Sequence, residues 1–215
     1  MSITTYSELQ TAIENWLARS DLTTTRVPEF ITLAEAKFNR ELSVRQMEQR
    51  STSTIDTTSA SPEFISLPTD FRSMRWLRVS SVTGKPHLDY LSPVALDEYR
   101  TARGDATGQP TYFTIIGSEI EVAPTPDSDY VLEMVYRKYI TALSDSNTTN
   151  WLLTLAPDIY LYGSLVEAAK FMRNAERVAV WSSDLQIAID RLNELNRTAA
   201  FNAGPVTVRV SGVTP

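Results

Sequence analysis

The spacing of apolar residues changes three times along this 215-residue chain. The start and the stretch after residue 150 repeat at three and four residues, as amphipathic helices do, the middle alternates or runs β-like, and the last ten residues alternate again. That order constrains the fold more tightly than composition does. At the start, Leu9, Ala12, Ile13, Trp16 and Leu17 make one apolar stripe, with Thr5 or Ser7 as N-cap and Glu8 in the first turn. Ser20-Asp21-Leu22-Thr23-Thr24-Thr25 interrupts the pattern with turn formers. A second helix opens with Pro28 in its first turn and Glu29 complementing the dipole. Phe30, Ile31, Leu33, Ala34, Phe38 and Leu42 supply its buried stripe, Glu35, Asn39 and Arg40 fall on other faces, and it closes near Met47.

Helical periodicity returns late. After the polar stretch from Ser144 to Asn150, Trp151 to Leu155 leads into Pro157-Asp158, a Pro-plus-acid helix start. Ile159, Tyr162, Leu165, Val166, Ala169 and Phe171 pack along one side. Asn174 caps a long helix from about Ala175 to Phe201, striped by Val178, Trp181, Leu185, Ile189, Leu192 and Leu195. Asn202-Ala203-Gly204-Pro205 stops it.

Between the helices the sequence reads as strands. Arg50 to Asp56 is Ser/Thr-rich and suits an exposed or edge strand. Met74 to Val79 is a strand, and His87 to Leu91 a short one after the Gly84-Lys85-Pro86 turn. Ser92-Pro93 opens a small helix to Arg103. Thr111 to Ile116 and Glu119 to Ala123, joined by Gly117-Ser118, form a hairpin. Tyr130 to Arg137 is the longest strand, apolar on part of both faces. Neither helix pair buries its own stripe, so the economical packing is one four-helix bundle. The expected fold is α+β, mainly α. Residues 1–49 and 151–202 form the bundle, 50–150 an inserted β-rich region with a short helix, and 203–215 an extended C-terminal arm. That arm, Val206 to Pro215, alternates apolar and polar residues without a local partner. It is read as a strand that joins another chain by β-addition, the alternative being a last strand of its own domain.

Composition narrows the chemistry. Hydrophobic residues at 42% and charged residues at 21% argue against global disorder. The absence of cysteine excludes disulfides, thiol nucleophiles and thiolate-held metals. One histidine, His87, excludes a multi-histidine centre. A carboxylate-based hydrolase stays open. With a net charge of -6 the chain is a poor general binder of polyanions. The start lacks a basic, apolar leader, and no apolar run approaches the roughly 20 residues of a membrane span. The chain therefore reads as soluble and made in a cytoplasm.

No constellation assigns a catalytic, cofactor-binding or metal-ligating residue. Gly104-Asp105-Ala106-Thr107-Gly108 lacks the lysine and following helix of a phosphate loop. His87 and Asp89 share a strand face, which suits a surface hydrogen bond better than a base. Glu119 and Glu121 also share a face at roughly 6.5 to 7 Å between Cβ atoms, a glycosidase-like separation without a cleft. Asp127, Asp129 and Glu133 lack the oxygen spacing of a calcium loop. Arginine is more informative. Of 20 basic residues only Lys37, Lys85, Lys138 and Lys170 are lysine, and arginine is the cation favoured at interfaces. Arg72, Arg75 and Arg78 surround Trp76, while Arg40 and Arg45 lie about 140° apart on a helix. These six residues are the candidate subunit or partner interface, with nucleic-acid contact as the alternative.

Several segments resemble tailed-bacteriophage head-to-tail adaptor proteins. They are Thr5 to Leu9, Ile13 to Asp21, Val27 to Leu42, Leu67-Pro68-Thr69-Asp70-Phe71, Gly108 to Phe113, and Trp151 to Gly163. Together they span nearly the whole chain. The resemblance implies a helical bundle with an inserted β region and a non-enzymatic structural role in the virion. It implies a ring, usually dodecameric, under the portal, extending the DNA channel and carrying tail or nozzle proteins. It also implies that the C-terminal segment reaches the portal, which makes Val206, Val208, Arg209, Val210 and Val213 the portal-binding candidates. DNA would pass through without specific binding, no cofactor is implied, and an acidic chain suits such a conduit. Two other functions stay open: a tail-associated cell-wall hydrolase using Glu119 or Glu121, and a nucleic-acid-binding module using Arg72, Arg75 and Arg78.

Overall fold

The structure, a computed structural model, describes residues 3–18 and 23–201. The arm residues Val206, Val208, Arg209, Val210 and Val213 lie outside the described residues. The described chain divides into two compact units, one built from the chain up to Arg45 and again from Ile140 onward, the other from Gln46–Tyr139.

The first unit is helical. Helix α1 (Tyr6–Leu17) starts at a capping box: Thr5 Oγ1 accepts from the Glu8 N–H at 3.3 Å, and Glu8 Oε2 accepts from the Thr5 N–H at 3.2 Å. Helix α2 (Thr23–Glu41) follows. After the insertion come α4 (Trp151–Leu155), α5 (Pro157–Phe171) and α6 (Ala175–Phe201), with α3 (Pro93–Ala102) belonging to the second unit. Asn150 caps α4 through the Leu153 N–H, and Asn174 caps α6 through the Arg177 N–H.

A four-helix bundle is not what these helices build. Helix α5 is a hub that packs against α1, α2, α4 and α6. A bundle helix buries one stripe, but α5 buries Ile159, Tyr160, Leu161, Gly163, Ser164, Leu165, Val166, Ala168 and Ala169, residues that circle its axis. Among the described residues helix makes up 45% and strand 22%, so the fold is mixed α+β with two sheets rather than mainly α.

Close approach of α2 and α5 depends on Gly163. A Cβ there would collide with the Phe38 ring, whose Cε1 would lie 2.8 Å away. That ring sits edge-on to Tyr160, with centroids 5.4 Å apart. Beside it runs a buried polar relay. Tyr160 Oη donates to Glu35 Oε1 at 2.9 Å, and the same oxygen accepts from the Leu143 N–H at 2.8 Å. Asn150 Nδ2 donates to Tyr160 Oη and to the Thr141 carbonyl. Asn39 Oδ1 accepts from the Ile140 N–H at 2.8 Å. Burial pushes the Glu35 carboxyl above its ordinary value of 4.5, against the lowering pull of its two donors.

Helix α2 departs from the sequence reading in three ways. It begins at Thr23, so Pro28 lies inside it rather than in its first turn, and it stops at Glu41. Glu35 is only 5% exposed, not on a polar face, because it borders the stripe of Ile31, Ala34 and Phe38. Leu33 is exposed, as are Phe171 and Leu195 on later helices.

The second unit is a two-sheet sandwich. Strands β1 (Glu48–Thr54), β7 (Val131–Lys138) and β3 (Phe71–Val79) form an antiparallel sheet with β7 central. Strands β2 (Phe64–Ser66), β6 (Glu119–Ala123), β5 (Tyr112–Ile116) and β4 (Asp89–Tyr90) form the other, with β4 parallel to β5. Leu77, Val79, Leu132 and Met134 meet Ile65, Phe113, Ile120 and Val122 in a shared core. Gly117, at φ 61°, turns the β5–β6 hairpin. Helix α3 (Pro93–Ala102), capped by Ser92 through the Ala95 N–H, lies on β5. The Leu67-Pro68-Thr69-Asp70-Phe71 segment anchors the end of β7. Asp70 Oδ1 accepts from Tyr136 Oη at 2.8 Å, and the Asp70 carbonyl accepts from the Tyr139 N–H. Burial, helped by that carboxylate, pushes the Tyr136 hydroxyl up to about 12.

Two outcomes are expected. Gly163→Ala should destabilise the fold by about 1–3 kcal/mol in denaturant titration, as overpacking does. Glu35 has a raised folded pKa, so the folded state holds its proton more tightly and stability should fall as pH rises from about 4.5 through that value. Glu35→Gln keeps the acceptor without the charge, and its stability should be flatter with pH across that window.

Candidate functional site

The outward face of the three-stranded sheet gathers the charged and aromatic residues that the sequence singles out around Trp76. Inward, β7 directs Leu132, Met134 and Tyr136 into the core. Alternation therefore turns Val131, Glu133, Val135 and Arg137 outward. Register places Thr52 and Arg78 opposite Glu133, and Arg50 and Trp76 opposite Val135. Glu133, 6% exposed, is clasped from both sides. Arg78 Nε and Nη2 donate to its Oε2 at 3.0 and 2.7 Å, and Arg50 Nε lies 3.1 Å from its Oε1. The Arg78 hydrogen bonds hold the Glu133 carboxyl below its ordinary value, and the charges of Arg78, Arg50 and Lys85 add to that. Arg78 also lies over the Trp76 ring, 5.0 Å from its centroid.

The other candidates are distributed as follows. Arg75, in a β-bulge between Met74 and Trp76, pairs with Glu48 at 3.2 Å. Arg72 approaches Met47 Sδ at 3.8 Å. Arg40 and Arg45 belong to the helical unit and are exposed, and the Arg45 backbone N–H donates to Asn196 Oδ1 on α6. The fold thus brings Arg75, Trp76 and Arg78 onto one face, while Arg40 and Arg45 belong to the other unit.

Most side chains of the chemical alternatives are otherwise engaged, whereas Glu119 stands exposed at the hairpin. Glu121 pairs with Arg100 Nη1 at 2.9 Å, and Arg100 Nη2 donates to the Val122 carbonyl. Asp129 accepts from the Thr57 N–H and hydroxyl, which hold its carboxyl below the ordinary value. Asp127 accepts from Tyr130 Oη. The His87 ring meets the Trp76 ring edge-on at 5.3 Å, and Asp89 lies in β4. Among the described residues no three His, Asp or Glu side chains converge to hold a metal ion, and no helix is long and apolar enough to cross a membrane.

Sequence reasoning missed two anchors. Glu133 lies 55 residues from Arg78 in the chain, and only strand pairing brings the two together. Arg100 sits on α3 with no local hint of Glu121.

The family model described as SU10 adaptor protein matches residues 4–209, nearly the entire chain. The chain belongs to that family of phage head-to-tail adaptors. No curated protein matches it. As a phage adaptor it belongs to a structural class that works by contact with other head and tail proteins. On this adaptor the outward sheet face offers what such contacts use: arginine, an aromatic ring and half-exposed aliphatic side chains.

Glu133 gives this face a pH signature. Its folded pKa is depressed, so its contribution is present above the ordinary carboxylate range and lost as pH falls through the folded value. Glu133→Gln should flatten the acid side of the adaptor's stability profile, measured by thermal unfolding from neutral pH downward.

Proposed function

We propose that this adaptor forms a ring, dodecameric as in similar connectors, beneath the portal at the head-to-tail interface of the virion. The ring extends the channel through which DNA passes and carries tail or nozzle proteins. The single observation that carries this reading is the family match over residues 4–209. The net charge of -6 supports a conduit past which DNA slides without specific binding. The interface between copies or partners draws on Arg75, Trp76 and Arg78, with Arg40, Arg45 and Arg72 as further contributors. The role is one of binding surfaces, not catalysis.

The C-terminal residues Val206, Val208, Arg209, Val210 and Val213 engage the portal by strand addition. Their alternation supplies one face for side-chain pockets and a backbone edge for pairing.

Removing residues 206–215 should leave thermal stability unchanged and weaken co-sedimentation with purified portal. A loss of stability comparable to that of a core substitution would place the segment within its own domain. Undiminished portal attachment would remove the arm from the account.

A further inference from the structure

The β unit is electrically two-sided. On the outward face of the three-stranded sheet, Arg50, Arg75, Arg78 and Arg137 surround Glu48 and Glu133. Four cations face two carboxylates, and Lys85 is close enough for its charge to act on Glu133. Both carboxylates are already engaged, so the surplus is positive. Arg50 and Arg75 keep 68% and 49% of their side-chain surface exposed.

The opposite side is negative. The two sheets pack through one core, so their outer faces point away from each other. The outer face of the four-stranded sheet carries α3, held there by Arg100 on Glu121 and by Tyr99 against Tyr112, with ring centroids 4.8 Å apart. Leu96 of α3 is buried, whereas Asp97 and Glu98 are exposed. Asp105, just after α3, and Glu119 at the hairpin are exposed too. Among the described residues none of these four carboxylates has an ion-pair partner. Arg103, on the same side, is turned onto Tyr99, whose hydroxyl it contacts at 2.7 Å.

We infer that the basic outer face of the three-stranded sheet docks on the acidic α3 face of a second copy of this chain. The inference rests on the ring reading and names the surfaces that close the ring. Complementary patches on opposite sides of one unit cannot satisfy each other in a two-fold pair. Pairing one patch leaves the other free, so contacts run head to tail and close into a ring or continue as a filament. Charge of this kind fixes register and rejects wrong partners, because juxtaposing like faces is costly.

The test uses charge reversal in the full chain, read by native mass measurement and negative-stain imaging, alone and with portal. Arg50→Glu with Arg75→Glu makes both faces acidic, and Asp97→Lys with Glu98→Lys makes both basic. Each variant, checked for native circular dichroism, should lose the oligomer. Mixing the two should restore an assembly in which they alternate. The natural chain has no cysteine, so a second measurement needs no background removal. Arg75→Cys mixed with Glu98→Cys should give a disulfide-linked pair under oxidation, and a chain carrying both should give a ladder. If the unaltered protein forms rings while both reversed variants assemble equally well, this surface is wrong and the ring reading stands. If the unaltered protein stays monomeric both alone and with portal, the ring reading fails and takes this inference with it. If Arg50→Glu with Arg75→Glu abolishes salt-sensitive duplex DNA binding but leaves assembly intact, the face is a nucleic-acid surface instead.

Discussion

The shared oxygen of Glu35, accepting from Tyr160 and from the Leu143 backbone, is the constraint on which the helical unit turns. The chain leaves this unit after Arg45 and re-enters it at Ile140. The returning segment has no secondary structure of its own from Ile140 to Asn150, so its backbone groups need partners from elsewhere. They find them in Asn39 and Glu35 on α2 and in the Tyr6 N–H at the start of α1, which donates to the Thr148 carbonyl, while Asn150 at the segment's own end donates to the Thr141 carbonyl. Removing one member would strand the others in a low-dielectric interior, where an unmade hydrogen bond costs about 1–3 kcal/mol. The relay therefore fixes how α2, α5 and the returning segment meet.

In the β unit the same logic operates with charge. Glu133 is nearly buried on the outward side of a central strand, and a lone carboxylate there would be unfavourable. Two arginines from the flanking strands resolve this and tie all three strands together. Arginine suits this position because its planar fork can serve a carboxylate and lie on an indole ring at once, as Arg78 does. A face held this rigidly loses little side-chain freedom when a partner covers it.

Much of the local structure is legible in sequence. The Thr5–Glu8 capping box, the Ser92-Pro93 helix start, the Gly117 turn and the Asn174 cap are written in adjacent residues, and each appears where the spacing puts it. What is not legible depends on residues far apart in the chain. The central position of α5 comes from apolar residues on every side, which a single-stripe reading of its sequence overlooks. Glu35 reads as a polar-face residue because its partners, Leu143 and Tyr160, lie 108 and 125 residues away. The arginines around Trp76 are visible as a cluster, but their carboxylate counterparts on β1 and β7 are not. The ordered adaptor-like segments are visible as well. The structure gives one of them a physical reason, since Asp70 anchors Tyr136.

The most direct test is to image the protein bound to its portal at a resolution that separates subunits. The account predicts a closed ring in which the Trp76 face of each copy abuts the α3 face of the next. Isolated copies on the portal, or a ring whose Trp76 and α3 faces both point into solvent, would contradict it.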